Sequence, residues 1–160
     1  MAIDLNMSPR TMVFRKIESI LRNDPTLKRV VKTWRTWEGK TTDVEPLTPI
    51  GGPAIRLTPV NGEERFVFPD AQKGQLIVGI EAAVAGTFVD DPTNLWWAIE
   101  RAIYPPDQTA RQNIQQALNQ AGSTTGLCTF SPPSYQQDEG NINWFVSGQI
   151  KTEVLLNLNA

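Results

Sequence analysis

The chain has 160 residues, 40% of them apolar and 20% charged, with a net charge of −2. That balance suits a globular fold rather than a disordered chain, and no apolar run reaches the ~18 residues a membrane helix needs. Histidine is absent and Cys128 is the single cysteine, so Ser-His-Asp triads, Cys-His pairs, Cys/His zinc clusters and an intrachain disulfide are excluded.

The first ten residues, MAIDLNMSPR, lack a basic start followed by an apolar block, and no signal peptide is expected. Ser8-Pro9 reads as an N-cap with proline at the first helical position. Met12, Val13, Phe14, Ile17, Ile20 and Leu21 then recur at helical spacing. An amphipathic helix over 9–22 follows, closed by Asp24-Pro25, with room for one further turn through Lys28. Arg29–Gly39 is rich in β-branched and aromatic residues and reads as a strand with one partly exposed face. The segment 39–53, with Pro46, Pro49, Gly51, Gly52 and Pro53, is an irregular arm. Ala54–Val60 is a short strand. Asn61-Gly62 is the strongest hairpin signal in the chain, returning Glu63–Asp70 beside it, so that 54–70 forms a hairpin.

Gly74–Thr87 is expected to be a central strand, apolar on both faces. Asp91-Pro92 opens a second helix, with Asp91 at its cap and Leu95, Trp96, Ile99, Ala102 and Ile103 on one stripe. Thr109–Gly122 reads as a third helix with a thin stripe and a C-terminal glycine stop. GLCTFSP and the alternating NINWFVSGQIKTEVLLNL close the chain as strands, the latter with Ile142, Trp144, Val146, Ile150, Val154 and Leu156 on one face. The order predicts one α+β domain over 1–160: a largely antiparallel, mixed sheet with two to three helices on one face, plus the arm and hairpin.

Two features compete for a chemical reading. Asp90-Asp91 resembles an acidic pair for metal or acid–base work, the reading of an acid-dependent hydrolase such as a nuclease or glycosidase. Adjacent residues point different ways, however, and no motif ties Glu81, Glu100 or Asp107 to them. Helix-start rules account for both carboxylates. The five tryptophans suit core and subunit contact better than stacking on a sugar or base; Trp97, beside the apolar stripe, is the interface candidate. Residues 1–40 carry nine basic and four acidic side chains, a net of +5 that leaves −7 for the remainder. A basic end suits nucleic acid, but no ribonucleoprotein or helix-turn-helix pattern accompanies it. It equally suits a subunit that presents opposite signs to its two neighbours. No catalytic constellation, metal site or cofactor motif emerges, and an enzyme is not expected.

The run QLIVGIEAAVAGTFVDDPTNLWWAIERAIYP, with the opening helix PRTMVFRKIESILRNDPTLKRV, the arm, PAIRLTP and the long last strand, resembles the tail terminator (tail completion) proteins of tailed bacteriophages. That family carries an apolar strand running through a short acidic turn into a helix of the form Asp…Leu-x-x-x-Ile-x-x-Ala. Asp91, Leu95, Ile99 and Ala102 occupy those positions here. The resemblance covers most of the chain as an element order and rests residue by residue on 76–104. The segment 105–125, with its extra helix, departs from the family's core.

The resemblance implies a structural virion protein at the tail–neck junction, assembled in the host cytoplasm. It would form a homo-oligomeric ring, usually a hexamer, on the head-proximal end of the tail tube, stop tube polymerisation and receive the head. Its partners would be copies of itself, the tail tube protein, a head-completion or connector protein and, in contractile tails, the sheath. DNA would be passing cargo, and no membrane is involved. Arg15, Arg22, Lys28, Arg29, Trp34, Trp37, Asp90 and Trp97 are the candidate subunit or partner contacts. Glu63 and Glu64 are candidates for facing a DNA-conducting lumen, and Ser8 and Asp91 for helix caps. A head–tail connector, adaptor or stopper, is the neighbouring reading.

Overall fold

In the computed structural model, which describes residues 8–36, 47–68, 71–86, 90–138, 140 and 142–157, local signals build the first two helices. Helix α1 (Pro9–Asn23) is capped by Ser8, whose Oγ accepts from the Thr11 N–H at 3.1 Å, with Pro9 in the first turn. Asp24 then serves two helices at once. Its backbone N–H donates to Leu21 O, closing α1, while its Oδ2 accepts from the N–H groups of Thr26 and Leu27, both at 3.1 Å, opening α2 (Pro25–Val30). That cap carries the helix through Val30, into residues whose β-branched composition predicts a strand. The described strand is correspondingly shorter, β1 (Thr33–Thr36). Most of the expected arm, 39–46, lies outside the described residues.

Strand β2 (Ala54–Phe68) runs without a turn through Asn61-Gly62 and pairs antiparallel with β3 (Ala71–Ala85). The expected hairpin turn at Asn61-Gly62 is therefore corrected. The register slips between the Asn61/Leu76 and Glu64/Gly74 pairs, placing one extra β2 residue in a β-bulge. The pairing that competes with a tight turn is long: β3 offers a partner along the whole of β2, and a local turn would forfeit most of those ladder hydrogen bonds. Helix α3 (Asp90–Ile103) and helix α4 (Gln108–Ala121) follow. Three strands complete the chain: β4 (Thr129–Phe130), the unexpected β5 (Ser134–Gln137) and β6 (Asn143–Asn157).

The six-stranded sheet has the order β1-β2-β3-β6-β4, with β5 also on β6. β1 pairs parallel with β2, and every other pairing is antiparallel. The fold is α+β with a mixed sheet. Leu76, Val78, Ile80, Ala82 and Val84 of β3, with Val146, Ile150 and Val154 of β6, face the helices and share one core with Val13, Ile17, Leu21, Leu95 and Ile99. The expectation that β3 is apolar on both faces needs correction. Its other face holds exposed Glu81, and the apolar cluster buried there among the described residues is small: Leu47, Ala54 and Ala83, with Phe145 against it. Arg56, almost wholly buried on that side, pairs with Glu81.

Trp96 shows how tightly the helices sit. It is 2% exposed, lies edge-on to Phe130 with ring centroids 6.4 Å apart, and rests against Gly148 of β6, where a Cβ would collide with its ring. Glycine in mid-strand costs stability unless another group needs the space, and here the indole takes it.

Candidate functional site

Two exposed surfaces gather the residues that carry recognition chemistry. The first is the edge formed by α1, α2 and β1. Residues 8–36 hold eight basic and two acidic side chains, while the whole chain nets −2, so the remainder nets −8. Both acids are engaged. Glu18 accepts from the Thr36 hydroxyl and lies 3.7 Å from Arg22, and Asp24 is the shared cap. Arg15, Lys16, Lys28, Arg29 and Arg35 are exposed, and their side chains have no ion pair among the described residues. Arg15, Arg22 and Trp34 come together in a groove of about 950 Å³ between α1 and the sheet edge, floored by Phe14 and Leu76. The Arg22 guanidinium lies 5.7 Å from the centroid of the Trp34 ring and donates to Thr36 Oγ1 at 3.3 Å. A stacked guanidinium keeps its N–H edge outward, ready for a carboxylate or phosphate. Lys28 and Arg29 sit on α2, outside the groove.

The second surface is the outer side of α3. Leu95, Trp96, Ile99, Ala102 and Ile103 point into the core, leaving Asp91, Asn94, Trp97, Arg101 and Tyr104 exposed. These recur at three- and four-residue steps, which on a helix is one continuous stripe. Trp97 is 57% exposed with the Arg101 guanidinium 5.9 Å from its ring centroid; Tyr104 is 63% exposed with that of Arg111 at 5.3 Å. Arg111 Nη1 donates to the carbonyls of Pro105 and Pro106, at 3.2 and 2.6 Å, which fixes it beneath Tyr104. Arg101, Tyr104 and Arg111 are absent from the sequence-based candidates. Their signal is the spacing of Arg101 and Tyr104 from Trp97, four and seven residues on.

The remaining candidates divide as follows. Asp91 is the second residue of α3, in its first turn rather than at its cap, because the helix begins at Asp90. Its charge still lies at the positive helix end. Glu63 and Glu64 fall in β2 at the bulge, but their side chains, like that of Asp90, lie outside the described part, as does Trp37. Among the described residues no group of three or more His, Cys, Asp or Glu side chains could hold a metal ion. No described helix is long and apolar enough to cross a membrane.

No protein-family model matches the chain, and no curated protein matches it. A chain from the solved virion of a native gene transfer agent particle is similar to it. The TM-score is 0.46 and the sequence identity 13%, over 89% of this chain and 93% of that one.

Proposed function

We propose that this protein is a structural virion component, a tail terminator that forms a ring on the head-proximal end of a phage tail tube. There it stops tube polymerisation and offers the head-joining surface. The reading rests on the resemblance over 76–104 to tail terminator proteins. The observation that supports it is the polarity of the molecule: an edge of exposed cations on α1, α2 and β1, against a remainder of opposite net charge. A ring requires heterologous contacts, in which two different patches of one chain meet head to tail. Oppositely charged patches orient such contacts and speed their formation. Purified protein incubated with tail tubes and imaged by electron microscopy tests the proposal. Rings at one end of each tube, with tube lengths held constant on further addition of tube subunits, are expected. Tubes that keep growing with bare ends would refute it.

A further inference from the structure

The exposed stripe of α3 has a property that the basic edge lacks, which is complementarity to itself. It runs from a carboxylate at the helix N-terminal end, Asp91, through the amide of Asn94 to Trp97 at its middle. It ends in Arg101 and Tyr104. Asp91, Trp97 and Arg101 have no ion pair or hydrogen bond from their side chains among the described residues; Arg101 is held only by stacking on Trp97. An indole more than half exposed beside a guanidinium without a carboxylate is the composition found at the energetic centre of protein contacts.

We propose that α3 pairs with α3 of a second copy of this chain, antiparallel, about a two-fold axis passing between Trp97 and Ala98. Such an axis sets each Trp97 across the partner's small Ala98, Asn94 opposite Arg101, and Asp91 opposite Tyr104. Arg101 then stands one helical turn from the partner's Asp91, within the span of an arginine side chain. Each Arg101 can thus reach the other copy's Asp91 on the diagonal, no like charges stand opposite each other, and the two helix dipoles run antiparallel. A parallel pairing would set Asp91 on Asp91 and Arg101 on Arg101. An isologous contact of this kind cannot close a ring. It pairs free copies before assembly or joins two assemblies face to face, so it stands whether or not the ring reading holds. A single helix crossing is a small interface, and a dissociation constant on the order of micromolar fits it.

The test uses the full chain without tail tubes, so its failure is separate from failure of the ring assay. Sedimentation velocity over a range of concentrations is expected to show a monomer–dimer equilibrium. Arg101→Asp should weaken it about tenfold or more, by setting two carboxylates against each other. Asp91→Arg with Arg101→Asp should restore it, since the swapped charges again face their opposites. Trp97→Cys, an exposed position that spares the core, should cross-link to itself on mild oxidation at the two-fold axis. A protein that stays monomeric throughout overturns the proposal. So does a dimer or larger oligomer indifferent to Arg101→Asp, or a Trp97→Cys variant that does not cross-link.

Discussion

Ser123 and Thr152 are buried hydroxyls in an otherwise apolar core, and each is fully used. Ser123 Oγ lies 2.8 Å from Thr152 Oγ1 and accepts from the Gly126 N–H at 3.0 Å, while Thr152 Oγ1 donates to Leu127 O at 2.8 Å. This knot ties the turn after α4 to β6. Ser123→Ala strips the Gly126 N–H of its acceptor, and a loss of about 1–3 kcal/mol is expected in urea unfolding. Cys128 sits nearby. Burial pushes its thiol up from an ordinary 9.0 to about 11, against a hydrogen bond with Thr152 that pulls the other way. The thiolate is the reactive form, so the native protein should react with a thiol reagent far more slowly at pH 8 than the unfolded chain does. The sign for stability follows from the raised folded value. The contribution of this group is complete below pH 9 and is lost as pH climbs through about 11. A Cys128→Ser comparison of unfolding between pH 8 and 11 isolates it.

At the scale of elements, the helices were legible and the strands only partly so. Ser8-Pro9, Asp24-Pro25 and the 3.6-residue stripe of α3 are local signals, and helix hydrogen bonds are local too, so pattern and structure coincide. Strand partners are distant in sequence. Asn61-Gly62 carries a strong turn signal, yet β3 extends the pairing past it and turns it into a bulge. SYQQ has no apolar alternation and is a strand because it lies along the edge of β6. Trp96 and Gly148 belong to the same lesson, since the one reads as a core residue and the other as nothing until the sheet forms. Gly148→Ala would push a methyl into the Trp96 ring. Helix α3 should shift or the ring leave its rotamer, with a thermal destabilisation of about 1–3 kcal/mol and altered tryptophan fluorescence.

For the molecule as a whole, charge placement matters more than net charge. A value of −2 conceals a cationic edge and an anionic remainder. If that polarity drives ring contacts, assembly on tail tubes should weaken steeply between low and physiological salt, since exposed charges are screened beyond about 8–10 Å there. Arg15→Glu with Arg29→Glu, both at exposed helix positions, should leave the fold intact and reduce tube capping at least tenfold in a pelleting assay, on the order expected for reversed charges in an interface. Unchanged capping would separate the ring from the basic edge.

Composition alone ruled out histidine- and cysteine-based chemistry, and local pattern alone set the helices, the cap at Ser8, the break at Asp24-Pro25 and the inward stripe of α3. Those features depend on residue types and on neighbours within four positions. Tertiary structure decided that β2 runs on past Asn61-Gly62, which strands meet, and that Arg22 stacks on Trp34 and Arg111 on Tyr104. It also decided that Asp91 and Asn94 stand on one exposed stripe with Trp97, Arg101 and Tyr104. Exposure is the complement of packing, and it exists only once the sheet and the neighbouring helices have taken the other sides.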